Sequence, residues 1–270
     1  MIDAHVHFWQ LSRGDYTWIA PARPTLLHDF LPNDFQQTAS GTGVVGCIAV
    51  QAAPTEAETD FLLDCASHNP FIKGVVGWTD LTEPGFAATL DRWQEIEAFK
   101  GIRPMAGVQA GPEWLGQAHD AGLEALAKRK LILEALALPQ HLTSVARTAK
   151  THSDLQIVLN HAAKPTPDDL VQWARDIAAF SKLENVACKL SGLTQQSFDA
   201  DHHARVHDVL LDVFGPRRLI WGSDHPVLLE TSAYGDWMAI TQTLLSGLST
   251  VEQAQITSGT AQRVYRIQAN

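Results

Sequence analysis

The chain is 270 residues long, 45% hydrophobic and 19% charged, with a formal net charge of −10. A chain of this size and composition can bury one large core, and residues 1–270 read as one domain. The acidic balance argues against nucleic acid or an anionic membrane surface as a partner.

The first predicted strand covers 2–7 and carries Asp3-Ala4-His5-Val6-His7. Side chains on a strand repeat every two positions, so His5 and His7 share a face. Paired imidazoles can hold a divalent cation or donate to a polarised carbonyl, and the plain alternative is two partnered core histidines. Residues 11–34, with Pro21, Pro24 and Pro32, form the longest irregular stretch. That length inside a compact domain predicts a functional loop. Further apolar runs follow at 44–51, 74–78, 99–103, 131–134, 156–161, 186–190 and 219–222. Between them, helical periodicity covers 57–66, 86–96, 115–129, 141–152, 167–183 and 203–214. The fourth helix pattern ends at His152, and the fifth opens on Pro167-Asp168-Asp169, a helix-start signal. Eight continuous apolar runs alternating with helices predict parallel strands and an α/β fold, a single (β/α)8 barrel of the TIM type. A doubly wound open sheet is the competing architecture.

Cys47, Cys65 and Cys188 are odd in number and widely spaced, which fits free thiols in a reducing compartment. No basic-then-apolar leader and no apolar run of ~18 residues stands in the chain, so the expectation is a soluble, cytoplasmic protein.

In such a barrel, reactive side chains come from the C-terminal strand ends and the loops after them. Those positions carry His5 and His7, Arg103, His161 and Asp224. Each alone has a structural explanation: a hydrogen-bonded core histidine, a surface arginine, a helix-capping aspartate. Their joint occurrence at equivalent strand ends predicts a site. Trp9, Trp18 and Trp78 are candidate apolar walls or core residues, and Lys164 and Lys189 are candidate substrate contacts.

The motifs that carry a family resemblance run the length of the chain. They are Asp3-Ala4-His5-Val6-His7-Phe8-Trp9, Val50-Gln51-Ala52, Val76-Gly77-Trp78-Thr79-Asp80-Leu81 and Gly101-Ile102-Arg103-Pro104-Met105. Asn160-His161-Ala162-Ala163-Lys164-Pro165, Cys188-Lys189-Leu190-Ser191-Gly192-Leu193 and Trp221-Gly222-Ser223-Asp224-His225-Pro226 complete the set. In these the chain resembles the lactonase branch of the amidohydrolase superfamily, which includes L-fuconolactonase-like sugar lactonases and 2-pyrone-4,6-dicarboxylate lactonase. The resemblance implies an amidohydrolase-type barrel and hydrolysis of a lactone ring.

The departures also inform. Metal-dependent members place a lysine after strand 4 and a histidine after strand 5, whereas Arg103 and Leu133-Glu134-Ala135-Leu136 stand here. A binuclear centre is therefore not expected. A single divalent cation such as zinc on His5, His7 and Asp224 stays open, beside a reading that needs no cofactor. Asn160 and His225 replace the family's Asp and Trp.

The expected chemistry uses Asp224 as general base toward water, with His5, His7 and His161 stabilising the oxyanion. Arg103, Trp9, Trp78 and Lys164 are the expected substrate contacts. The expected substrate is a small aldonolactone such as L-fuconolactone. A 2-pyrone-4,6-dicarboxylate-like lactone, which needs several basic groups, and a metal-dependent decarboxylation are the alternatives. A catalytically silent binding barrel is the third. Oligomeric state is not legible.

Overall fold

The computed structural model describes residues 1–105, 110–197 and 199–268. Eight parallel strands form one sheet in the order of the chain: β1 (Ile2–Val6), β2 (Gly46–Val50), β3 (Ile72–Gly77), β4 (Phe99–Ile102), β5 (Ile132–Ala135), β6 (Ile157–Leu159), β7 (Val186–Leu190) and β8 (Leu219–Trp221). All eight predicted runs are present. The closure from β8 back to β1 is made just beyond β8, where His7 N–H donates to the His225 carbonyl (2.7 Å) and Asp224 N–H to that of His5 (2.9 Å). The seam that completes the barrel is thus built from the same residues that carry the predicted chemistry.

Two sequence features make that seam. A Cβ on Gly222 would lie 2.9 Å from the His5 Cβ, so only glycine lets the two chains approach. Asp3, fully buried, accepts from Ser223 N–H (2.9 Å), His5 N–H (3.2 Å) and the Tyr234 hydroxyl (3.0 Å). Its carboxylate thereby satisfies donors that strand pairing leaves open.

The helices are α1 (Pro32–Ala39), α2 (Glu56–His68), α3 (Phe86–Gln94), α4 (Asp120–Lys128), α5 (Leu142–Thr151), α6 (Leu170–Ile177), α7 (Ala200–Phe214) and α8 (Tyr234–Leu245). A C-terminal run follows as α9 (Thr250–Ala254), one π-helical turn and α10 (Thr260–Tyr265). Local signals start several of them: Thr55 caps α2 by accepting from Glu58 N–H (3.1 Å), worth about 1 kcal/mol. The irregular stretch expected over 11–34 is shorter, because Pro32 opens α1 at its first turn. The helix expected over 115–129 begins at Asp120, after a short 3-10 turn.

Two apolar layers result. Leu62, Leu90, Leu123, Val145, Trp173, Leu210 and Trp237 on the helices pack against the outward side chains of the strands, such as Leu133, Leu159 and Trp221. The interior holds a separate cluster of Ile2, Ile48, Val50, Val76, Ile132, Val158, Ala187 and Ile220. Ala261, Val264 and Tyr265 of α10 join that inner cluster. The last helix therefore plugs the floor of the barrel, at the end opposite the predicted site. Cys47 in β2 and Cys188 in β7 are buried free thiols, and Cys65 on α2 is also free. No helix among the described residues is long and apolar enough to cross a membrane.

Candidate active site

Asp224 is the centre of the arrangement. Its Oδ1 lies 3.2 Å from His7 Nε2, 3.6 Å from His5 Nε2 and 3.8 Å from His161 Nε2, while its Oδ2 accepts from Gln195 Nε2 at 3.3 Å. The four residues that the sequence placed at three strand ends meet around one carboxylate oxygen.

The backbone beneath them is strained. Asp224 has φ +66°, and His161, Ala162, Ala163 and Lys164 form four consecutive left-handed residues. Such a conformation costs about 1–2 kcal/mol per non-glycine residue, and it concentrates at functional sites. The left-handed turn begins after β6 ends at Leu159, so His161 belongs to the turn rather than to the strand end expected from the sequence. It folds His161 and Lys164 back over the same cavity. Gly192, at φ +69°, leaves room for it, since a Cβ there would stand 2.7 Å from His161 Nδ1. Ser191 Oγ meets that nitrogen at 2.9 Å.

The cavity has a volume of about 160 Å³ and is lined by His7, Trp18, Arg23, Ala52, Arg103, Met105, Leu136, His161, Lys164, Asp224 and Val227. That is below the ~300–1,000 Å³ of sites for drug-sized ligands, and is the scale of one small ring. Wider hollows at the barrel floor (about 440 Å³) and between α7 and α8 (about 600 Å³) contain none of these groups.

Charges in the pocket are unevenly matched. Burial alone would raise the Asp224 carboxyl, but His161, His7 and Lys164 outweigh it and hold it below the usual carboxylate range. Burial pulls His161 down to about 3 and lowers His5 and His7, so the rings are neutral at pH 7 in the absence of a partner's proton. Arg103 is pushed down to about 10 by burial, still a cation at neutral pH. Its terminal nitrogens reach the Gln51 carbonyl and, at 3.4 Å, His5 Nε2, and its buried Nε has no partner among the described residues. A desolvated guanidinium with an open donor calls for an acceptor from outside.

Several expectations shift. Trp9 and Trp78 are absent from the cavity wall among the described residues. Trp9 is fully buried between Tyr16, Trp18 and Phe30, its indole N–H donating to the His28 carbonyl, because the loop after β1 doubles back through the Trp9–Phe30 pairing. Trp78 exchanges backbone hydrogen bonds with Thr59 Oγ1. Trp18 supplies the aromatic wall instead, with its indole N–H on the Ala52 carbonyl and Arg23 stacked 5.0 Å above it. Arg23, which the sequence did not single out, is tied to Glu230 through two hydrogen bonds (2.9 and 2.6 Å) and so fastens the 11–34 loop to the segment after β8. Lys189 lies beneath the site rather than on its wall. His5 is also set back from the cavity, behind Asp224 and Arg103. His225 turns away into Phe30, Phe35 and Tyr234, and burial lowers it to about 4, so it is a neutral packing residue rather than a second base.

The group whose ligand atoms all lie within 4.8 Å of one another is His5, His161 and Asp224, not the expected His5, His7 and Asp224. A cation there would need the Nε2 lone pair of His5, which puts the ring proton on Nδ1. That atom faces the Lys189 ammonium at 3.0 Å. Two donors cannot share that contact, and with Arg103 and Lys164 adding positive charge the set fits a divalent cation poorly.

A profile described as Amidohydrolase matches residues 2–267. The chain belongs to the amidohydrolase family, and within it to the lactonase branch. It is 33% identical over 276 residues to an L-fucono-1,5-lactonase of Burkholderia ambifaria, covering 98% of this chain and 95% of that protein. An L-fucono-1,5-lactonase of Burkholderia multivorans is 31% identical, over 98% and 96% of the two chains. Among solved structures, an amidohydrolase from Burkholderia multivorans with bound zinc superimposes with a TM-score of 0.93 at 30% identity, over 99% of both chains. A structure from Pseudomonas putida described as a putative 2-pyrone-4,6-dicarboxylic acid hydrolase gives a TM-score of 0.80 at 21% identity, over 100% of this chain and 98% of that one, which speaks to the fold alone.

Proposed function

We propose that the protein opens the ester ring of a small sugar lactone, of the aldonolactone class to which L-fuconolactone belongs, by direct attack of water. The observation that carries this reading is one buried carboxylate, Asp224, ringed by neutral imidazoles in a cavity the size of one ring and sharing it with a buried cation, Arg103, and a half-buried one, Lys164. Asp224 accepts a proton from water as the hydroxide adds to the lactone carbonyl. Arg103, Lys164 and His161 take up the developing oxyanion. His7 Nδ1 lies 2.7 Å from the Val50 carbonyl and its Nε2 3.2 Å from Asp224 Oδ1, so the proton that Asp224 takes from water is shared with this imidazole. When the tetrahedral intermediate collapses, the ring C–O bond breaks and that proton passes to the leaving alkoxide. Trp18 covers one side of the ring.

The L-fucono-1,5-lactonase names of two relatives support the substrate class. A lysine-blocked His5 supports a reaction with no metal step, although zinc is bound in a structural relative. The three free cysteines are in keeping with a cytoplasmic setting. A second reading, a 2-pyrone-4,6-dicarboxylate-like lactone, draws on the extra cations Lys164 and Arg23 at the cavity. Arg23, however, is already neutralised by Glu230.

The test is a pH-indicator assay over aldonolactones and 2-pyrone-4,6-dicarboxylate, with and without exhaustive chelation. Activity on an aldonolactone that survives chelation, and that falls by ~10²–10⁴-fold in Asp224→Asn, is expected. Preference for the dicarboxylate would move the assignment to the second reading. A chelated enzyme that is folded but dead, and that zinc restores, would overturn the metal-free mechanism.

A further inference from the structure

Below the pocket a fully buried polar chain crosses the barrel interior. Glu134, at the C-terminal end of β5, accepts from Lys189 Nζ on both oxygens (2.7 and 2.8 Å), from Asn160 Nδ2 (2.9 Å) and from the Tyr265 hydroxyl of the plug helix α10. Lys189, Glu134, Asn160 and Tyr265 are each 0% exposed. Lys189 Nζ then meets His5 Nδ1 at 3.0 Å, and His5 Nε2 points at Asp224 Oδ1, 3.6 Å away. A buried ion pair is weak evidence of stability, because apolar residues of similar volume commonly serve as well or better. Its placement against a site imidazole asks for another account.

We propose that Lys189, held in place by Glu134, Asn160 and Tyr265, is a positioning residue that fixes the ring proton of His5 on Nε2 and thereby aims that N–H at the Asp224 carboxylate. The inference rests on the reading of Asp224 as the base toward water. Two cations approach the His5 ring, but a neutral imidazole has one lone pair to give. Lys189 holds the shorter contact, 3.0 Å against 3.4 Å for Arg103, whose other terminal nitrogen is committed to the Gln51 carbonyl. Burial lowers Lys189 to about 8, but the two short contacts to Glu134 keep it from falling further, so at pH 7 it is an ammonium, a donor with nothing to accept. The proton of His5 is therefore on the far nitrogen, toward Asp224. Two departures from the family pattern fall into place here. Strand 5 carries a glutamate that anchors the lysine, and an asparagine before His161 donates to that glutamate where an aspartate would repel it.

Removing Lys189 alone would strand the Glu134 carboxylate, so the variant of choice is Lys189→Met/Glu134→Gln. With aldonolactone as substrate, kcat falls by about 10–10²-fold and KM moves less than about threefold, the signature of a misplaced catalytic group rather than lost binding. In ¹⁵N-histidine-labelled protein, two-bond ¹H–¹⁵N spectra report the tautomer of His5, assigned by its loss in His5→Gln. Wild type shows Nε2–H, and the double variant shows a mixture or Nδ1–H. A variant with wild-type kcat and an unchanged tautomer would overturn the inference while a dead Asp224→Asn left the parent reading standing. An Asp224→Asn enzyme with full activity would sink both. If the double variant does not fold, the wild-type spectrum decides alone: Nε2–H supports the inference and Nδ1–H refutes it.

Discussion

Gly192→Ala perturbs the site from a single atom. The new Cβ would lie 2.7 Å from His161 Nδ1, 2.9 Å from its Cγ and 3.1 Å from its Cβ. His161 cannot step aside freely, because it sits in a run of left-handed residues and is bonded to Ser191. The substitution also places a side chain at φ +69°, which costs about 1–2 kcal/mol, and overpacking adds about 1–3 kcal/mol. The sum, about 2–5 kcal/mol, corresponds to a fall in Tm of about 4–20 °C for a chain of this size. Relief of the clash displaces the imidazole by a large fraction of an ångström, and a misplacement of ~1 Å lowers turnover by up to ~10²-fold. Gly41→Ala separates the two effects, since Gly41 has φ +76° with nothing within 4 Å of its Cβ. Thermal unfolding and lactone turnover on both variants make the measurement. Gly41→Ala should lose only the conformational part and keep full kcat. If Gly192→Ala matches it in both readouts, the tight packing of Gly192 on His161 has no energetic consequence and the reasoning fails.

The Asp3 carboxyl at the seam is raised to about 6, mainly because it is buried, against the hydrogen bonds from Ser223, His5 and Tyr234. The folded state thus holds this proton more tightly than the unfolded chain. Its contribution is full below the unfolded value of 3.8 and is lost as pH rises through about 6. A shift of about two units is worth on the order of 3 kcal/mol. Urea unfolding at pH 4 and pH 7.5 should show that difference in wild type and little of it in Asp3→Asn, whose Oδ1 can still accept from both backbone donors; parallel pH dependence in the two proteins would contradict the assignment. Arg103→Lys keeps the charge but loses the planar fork, so kcat/KM on aldonolactones should fall by about 10–10²-fold. Steady-state kinetics check it, and an unchanged kcat/KM would remove Arg103 from substrate recognition.

Periodicity alone located all eight strands, because each is a short, locally encoded apolar run set off by amphipathic helices, and a run buried on both faces reads the same wherever its partners lie. The order of the strands follows from the same alternation. His5, His7, His161 and Asp224 were legible for a related reason: a strand end in this fold has one place to go. What surrounds them was not legible. Trp9 and Trp18 stand on one loop, and only the Trp9–Phe30 pairing and the Arg23–Glu230 contact, which joins residues 207 positions apart, decide which indole faces the cavity. Local spacing could not reveal that β6 stops two residues before His161 and hands it to a left-handed turn, since that conformation is unfavourable in itself and is stabilised by packing against Gly192 and Ser191. Lys189 reads in the sequence as a candidate substrate contact and Glu134 as part of a strand that lacks a histidine; the barrel's closure around them turns the two into one buried ion pair under His5. The sequence determined which residues arrive at the mouth of the barrel, because that depends on local pattern. The tertiary structure decided which of them face the cavity and which hold the others in place, because those assignments depend on contacts between segments far apart in the chain.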